Sequence, residues 1–345
     1  MLKKQVNIAL QGGGAHGAFT WGVLDKILED GRIDISAISG TSAGAMNAVA
    51  LIRGFHSGGN DGAREKLEQL WHKLSQKYKL SPVQRTPLDM FMGNWNLSTS
   101  PGFHFYDALT RLYSRYQLHP LNINPLQEVM NELIDFDEVR TCSKIKLYIS
   151  ATNVETGRVR VFTCGDVTAD VIVASSCLRM IFQAVQIDGV PYWDGGYMGN
   201  PSLFPFHHDT DCSDIVVVQI NPIERKGTPK TPQDIANRIN EISFNSSLLK
   251  ELRSIDFVSR LIQEGKLSAD DYRDTRVHII ENEGELIPMG APSKMNMEWS
   301  FLTHLRDLGR DTAEAWIDKS HKHIGKKSTV DLRAMFQGIN STRSG

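Results

Sequence analysis

Apolar positions along the first fifty residues follow two periods in turn. Residues 6–10 (Val6-Asn7-Ile8-Ala9-Leu10) form a short, nearly continuous apolar run, the pattern of a strand buried on both faces. Residues 18–30 place Phe19, Val23, Leu24, Ile27 and Leu28 at helical spacing. The strand pattern returns over 33–38, and 43–53 reads as an apolar helix rich in small residues. Strand and helix alternating in this way predict a parallel sheet covered on both faces. A loop pattern over 54–62 (GFHSGGNDG) then precedes an amphipathic helix over 63–78.

The period is lost over residues 80–105, where Pro82, Pro87, Gly93, Pro101 and Gly102 interrupt Met90, Phe91, Met92, Trp95, Phe103 and Phe105. A loop this long and apolar inside a domain is usually functional. Helices are expected near 106–116 and 125–134. Glu155-Thr156-Gly157, between strand patterns at 145–153 and 158–164, predicts a hairpin. Asp188-Gly189, between 185–187 and 190–193, predicts a second. A short helix over 167–176, buried strands over 215–220 and 277–280, and a closing helix over 297–322 complete the pattern. From residue 328 the tail is polar. The whole reads as an α/β fold with a mostly parallel central sheet flanked by helices.

Composition keeps this picture and narrows the partners. A chain of 345 residues, 41% apolar and 23% charged, can bury a substantial core in one large domain or two medium ones. Its net charge of −2 provides no global field for nucleic acid or an anionic membrane. Cys142, Cys164, Cys177 and Cys212 are widely spaced, as expected of reduced thiols in a cytosolic protein. Met1-Leu2-Lys3-Lys4 has the look of a signal-peptide start, but the apolar run behind it is short and ends in glycines. It reads as the first strand. No stretch approaches 18 uninterrupted apolar residues, so no transmembrane helix is expected and the chain reads as cytoplasmic.

Two glycine-rich turns carry the candidate chemistry. Gln11-Gly12-Gly13-Gly14-Ala15-His16-Gly17 follows the first strand, where backbone amides can face an anion. The spacing Gly12-x-Gly14-x-x-Gly17 also fits a dinucleotide fingerprint. That reading needs an acidic residue at the end of the second strand. Asp34 stands at the start of that strand instead, and its end runs into Ser39-Gly40-Thr41-Ser42-Ala43-Gly44-Ala45. This is Gly-x-Ser-x-Gly where strand passes into helix, a strained turn that pushes the serine hydroxyl outward. The plain alternative is Ser42 as an N-cap. With Ser42 as nucleophile, the amides of Gly12, Gly13, Gly14 and Ala43 become the expected oxyanion donors.

A serine nucleophile needs a base. His207 and His208 read as a solvated loop pair, and His321 and His323 as a basic helix end among Lys319, Lys322, Lys326 and Lys327. Asp194 is the better candidate, a carboxylate closing a short apolar strand and followed by Gly195 and Gly196. Its plain alternative is a surface Asp-Gly turn.

Together, Gly12-Gly13-Gly14-Ala15-His16-Gly17, Gly40-Thr41-Ser42-Ala43-Gly44 and Asp194-Gly195-Gly196 closely resemble the motifs of the patatin-like phospholipase family of serine acyl hydrolases. The resemblance covers residues 5–225 as a catalytic core, with 226–345 a helical and strand extension packed on the same domain. It implies a three-layer sandwich and a Ser42–Asp194 dyad with no catalytic histidine, no metal and no cofactor. Asp194 would act as general base, and a fatty-acyl ester would be cleaved through an acyl-Ser42 intermediate. A lipid substrate implies transient contact with a membrane surface. Within the apolar insertion, Met90, Phe91, Met92, Trp95 and Phe103 are expected to line an acyl groove.

Two departures stand out. The family commonly carries Arg or Lys where His16 stands, so any charge there would depend on pH. Arg179 and Met180 occupy a segment where a proline-containing turn is expected. The competing readings are an acyltransferase related to malonyl-CoA:acyl carrier protein transacylases, which pair their serine with histidine, and a catalytically quiet lipid-binding protein.

Overall fold

The structure is a computed structural model, and it describes residues 3–79, 81–118, 122, 124–142, 144–177 and 182–337. Its centre is an eight-stranded sheet of order β5-β6-β3-β2-β1-β7-β8, with β4 paired to β3 off that path. The strands are β1 Lys4–Leu10, β2 Ile33–Gly40, β3 Lys146–Asn153, β4 Val159–Thr163, β5 Val185–Ile187, β6 Val190–Asp194, β7 Asp214–Val218 and β8 Arg276–Ile280. The run β3-β2-β1-β7-β8 is parallel, whereas β4, β5 and β6 pair antiparallel. Both expected hairpins form.

Alternation along the strands explains why both faces are covered. Val6, Ile8 and Leu10 of β1 join one buried cluster, and Ala9 joins the other. On the first face lie α1 (Gly17–Asp30), α2 (Ala43–Lys77) and a late helix Trp299–Ser320. The second face is covered by α3 (Pro232–Gln263), through Leu248, Leu252 and Ile255, with Phe206 beside them. The late helix is α4. Thus the segment beyond 225 supplies β8, α3 and α4 to the same sheet.

The loop expected over 54–62 is almost entirely helical. Two arms of α2 meet at a break confined to Gly58 and Gly59. Gly54 and Gly62 sit backbone against backbone, so the arms fold back sharply at this break. Helix α3 was not anticipated in the sequence, although Thr231-Pro232-Gln233-Asp234 carries a start signal. Thr231 caps the Asp234 amide, with proline at the first helical position. Its apolar residues fall on two sides, Ile235, Ile239 and Ile242 exposed against Phe244, Leu248 and Leu252 buried, and this blurs the period.

One buried ionic cluster ties β7 to β8. Asp214 accepts hydrogen bonds from Arg276 (2.8 Å) and the Gly325 amide (2.8 Å) and meets His278 Nε2 at 3.0 Å. Burial alone would raise the Asp214 carboxyl, yet His278, Arg276 and Gly325 hold it well below the usual carboxylate range. A depressed folded-state value contributes stability above about pH 4 that is lost as the pH falls. Asp214→Ala strands the partly buried Arg276 guanidinium and takes the acceptor from His278 Nε2 and the Gly325 amide, and is expected to cost about 3–5 kcal/mol. Urea unfolding at pH 7 measures it, and the gap from wild type should narrow below pH 4.

Candidate active site

The serine turn is strained. Ser42 adopts φ 54° and ψ −122°, between the end of β2 at Gly40 and the start of α2 at Ala43. Such a conformation costs about 1–3 kcal/mol and persists only where surroundings enforce it. The Ser42 amide donates to Ser175 Oγ (3.0 Å), which donates in turn to the Ser150 carbonyl (2.7 Å). Thr41 Oγ1 donates to the Gly199 carbonyl (2.6 Å). Gly40 packs on the Gly44 carbonyl, and a Cβ at Gly44 would stand 2.3 Å from the Leu10 carbonyl oxygen. Helix α2 therefore rests directly on the end of β1, which accounts for its small first residues. The Ser42 side chain makes no capping hydrogen bond to α2, so the N-cap alternative fails and its hydroxyl is left for other chemistry.

Strand register brings Asp194 to that hydroxyl. Gly40 pairs with Ile149, and Ala151, two residues further along β3, pairs with Asp194 on the antiparallel β6. Asp194 is thus level with the residue two past Gly40, which is Ser42. Its backbone is pinned on both sides: the amide donates to the Cys177 carbonyl (2.9 Å), and the carbonyl accepts from Thr152 Oγ1 (2.8 Å). Oδ1 accepts the Gly196 amide (2.7 Å), whereas Oδ2 is buried without a hydrogen-bond partner of good geometry among the described residues. Burial pushes the carboxyl up to about 7, against the pull of the Gly196 amide and the Ser42 hydroxyl. A surface Asp-Gly turn is therefore excluded, because Asp194 is fully buried. Gly195 lies against the Ser150 carbonyl, and Gly196 against Phe244.

The glycine turn requires one correction. The Gly12 amide donates to Asn200 Oδ1 (2.8 Å), so it is committed and does not serve as an oxyanion donor. Its carbonyl accepts from Asn221 Nδ2 (2.7 Å). What Gly12 provides is clearance: a Cβ there would stand 2.7 Å from Ser42 Cβ. Among the described residues no acceptor takes the amides of Gly13, Gly14 or Ala43. Gly13 borders Ile220, Gly14 borders the Lys294 carbonyl, and Gly17 packs on Ala43 and Trp71.

His16 also differs from expectation. It is buried, with Nε2 2.7 Å from Ser293 Oγ. Burial, and then the Lys294 charge, push it down to about 3, so it is neutral across physiological pH rather than a pH-dependent cation. Gln11 closes the network: Oε1 accepts the amides of Ile220 and Asn221 (both 2.9 Å), and Nε2 donates to Asn245 Oδ1 (3.1 Å).

The five apolar residues of the insertion do not share one environment. Phe103 is buried, Phe91 is 90% exposed and Met92 73% exposed. Met90 borders a cavity of about 250 Å³ with Tyr78, Met297 and Trp299, whose lining includes neither Ser42 nor Asp194. Trp95 packs on Phe301 (centroids 5.2 Å apart), and Phe301 meets His16 edge-on. Arg179 and Met180 lie outside the described residues. Of the other histidines, His207 lies on the short helix Phe204–Asp209 and approaches Thr275 Oγ1 (3.4 Å). Among the described residues no group of three or more side chains could hold a metal ion, and no helix is long and apolar enough to cross a membrane.

Sequence reading missed Asn200, Asn221, Ser175 and Lys294. Asn200 sits in the glycine-rich run Gly195-Gly196-Tyr197-Met198-Gly199-Asn200-Pro201, which is a local signal, and Asn221 directly follows an apolar strand pattern. Ser175 and Lys294 have no local signal at all.

A family model described as patatin-like phospholipase matches residues 8–207. No curated protein matches the chain by sequence. Among solved structures, VipD from Legionella pneumophila is 13% identical with a TM-score of 0.37, covering 97% of this chain and 79% of that one. ExoU in its heterodimeric complex with SpcU, from the type III secretion system of Pseudomonas aeruginosa, is 13% identical with a TM-score of 0.38. That match covers 92% of this chain and 52% of the other, so the chain spans about half the length of the ExoU chain.

Proposed function

This chain belongs to the patatin-like phospholipase family, and on that premise we propose that it cleaves fatty-acyl esters through an acyl-Ser42 intermediate with Asp194 as general base. The observation that carries the reading is the buried Asp194 carboxyl, held level with Ser42 and within reach of its hydroxyl. In acylation, Asp194 takes the Ser42 proton while Oγ attacks the acyl carbonyl carbon. The resulting oxyanion is received by the amides of Gly13, Gly14 and Ala43. Collapse breaks the ester C–O bond, and the departing alcohol takes the proton from Asp194. Water, deprotonated by the same carboxylate, then attacks the acyl-serine carbonyl; collapse breaks the C–Oγ bond, Ser42 Oγ takes the proton back from Asp194, and the fatty acid leaves. A carboxyl near 7 is a far better base than one at the ordinary carboxylate value, and it suits work at neutral pH.

Leu88, Phe91 and Met92 on the helix Pro87–Phe91 and its cap are exposed, and this apolar edge would meet a lipid surface transiently. The test of the reading is a fluorophosphonate probe with mass spectrometry, beside a panel of fatty-acyl esters. Labelling at Ser42 and ester cleavage are expected. Acyl transfer to pantetheine outpacing hydrolysis would move the chain to the acyltransferase reading instead. Gly12→Ala adds a methyl against Ser42 Cβ and is expected to cut kcat on p-nitrophenyl esters by about 10²-fold, the scale of a small misplacement of reacting groups.

A further inference from the structure

We propose that Lys294 is a positioning residue that charges the oxyanion turn from outside, acting through Asn221 on the Gly12–Gly13 peptide. This rests on the hydrolase reading above. Lys294 Nζ donates to Asn221 Oδ1 (2.6 Å), and Asn221 Nδ2 donates to the Gly12 carbonyl (2.7 Å). That carbonyl shares its peptide plane with the Gly13 N–H, which faces the reacting centre in the scheme above. Every link points the same way, from an ammonium at one end to an amide proton at the other. Aligned hydrogen bonds polarise one another, so withdrawal of charge from the Gly12 oxygen makes the Gly13 N–H a stronger donor. The orientation of the Asn221 amide is not free: an ammonium can only donate and a carbonyl can only accept, so its two partners dictate which end faces which.

Three further observations support the relay. The turn itself brings no charge, because His16 is buried and neutral. The Lys294 backbone abuts the turn, its carbonyl lying 2.4 Å from where a Cβ of Gly14 would stand. Gln11 Oε1 also accepts from Asn221 Nδ2 (3.2 Å) and from the Asn221 amide (2.9 Å), which holds the relay residue in place.

The charged groups facing Lys294 are few. Glu241 on α3 favours its ammonium form, Arg225 after β7 opposes it, and His16 adjoins it from the glycine turn. Glu241 is already shared between Arg225 (2.6 Å) and Arg238 (3.2 Å), so it does not neutralise the lysine. Burial is the largest influence and lowers Lys294 to about 8. The lysine is charged below that value and loses its charge above it, so the relay is on at neutral pH and fails in alkali.

The experiment measures kcat and KM on a fatty-acyl p-nitrophenyl ester from pH 5.5 to 9.5, with fluorophosphonate labelling of Ser42 as a separate readout. Lys294→Met is expected to lower kcat at pH 7 by about 10–100-fold with KM within about twofold, since the charge matters only once the oxyanion forms. The wild-type alkaline limb near pH 8 should be absent from Lys294→Met. In an Asn221→Ala background, Lys294→Met should cost nothing further, because the link is already cut. If Lys294→Met melts early, Lys294→Arg replaces it. That variant keeps the charge, should hold kcat within a few-fold, and should move the alkaline limb up by more than one pH unit. Labelled wild type with an alkaline limb that survives in Lys294→Met, or stays at the same pH in Lys294→Arg, overturns the relay alone. Wild type that neither labels at Ser42 nor cleaves esters overturns the reading beneath it.

Discussion

Ser42→Ala is expected to lower kcat on fatty-acyl esters by roughly 10⁴-fold or more, and to abolish labelling by a fluorophosphonate. The residual rate would come from binding and the oxyanion donors alone. Steady-state hydrolysis with the purified variant measures it, and a loss below tenfold would remove Ser42 from the mechanism. Ser42→Gly sharpens the test. Both variants lack the hydroxyl, but only glycine accepts φ 54° and ψ −122° without strain. Ser42→Gly should therefore melt above Ser42→Ala while being equally inactive. A serine placed only for packing or capping would show the same order of stability without the loss of activity.

Asp194→Asn should separate activity from stability still more clearly. Removing the base is expected to cost about 10²–10⁴-fold in kcat, with the residual rate losing the wild-type rise through pH 7. The fold, by contrast, should gain. The folded carboxyl holds its proton up to about pH 7, whereas the unfolded one releases it near pH 4. The folded state thus binds more protons between these values, and stability falls as the pH rises through that window. The rise from near pH 4 to about 7 corresponds to about 4 kcal/mol of cost for burying the charge at alkaline pH. Asparagine keeps an acceptor for the Gly196 amide but carries no charge, so Asp194→Asn should be the more stable protein above pH 7 and close to wild type at pH 4. Chemical denaturation across pH 4–9 reads this directly. Combining it with Ser42→Ala should add little further loss of activity, because the two act as one unit.

Much of the fold and the local devices of the candidate site are legible in the sequence. The strands of the parallel core appear as continuous apolar runs because both of their faces are covered, as Ile8 and Ala9 show by pointing into opposite clusters. The small residues Ala43-Gly44-Ala45 after Ser42 are a local record of a helix seated on a strand end. Apolar residues in an irregular segment were less informative. Phe91 and Met92 lie largely in solvent, Met90 borders a cavity and Phe103 is buried, since composition without period does not say which side faces the core. Helix α3 escaped for a related reason, its apolar residues being divided between a buried and an exposed side.

What the sequence determined by itself is the set of local backbone devices: a glycine turn, a strained serine elbow, and a carboxylate closing a short strand. Each obeys steric rules that act within a few residues. The tertiary structure decided what those devices meet. Only the antiparallel return of β6 makes Asp194 level with Ser42. Only packing assigns the Gly12 amide to Asn200, 188 residues away, and its carbonyl to Asn221, 209 residues away. Lys294 reaches the turn from further still. Hydrogen bonds between such distant residues leave no period in the chain, because their partners are selected by how the sheet edge and its loops fold together.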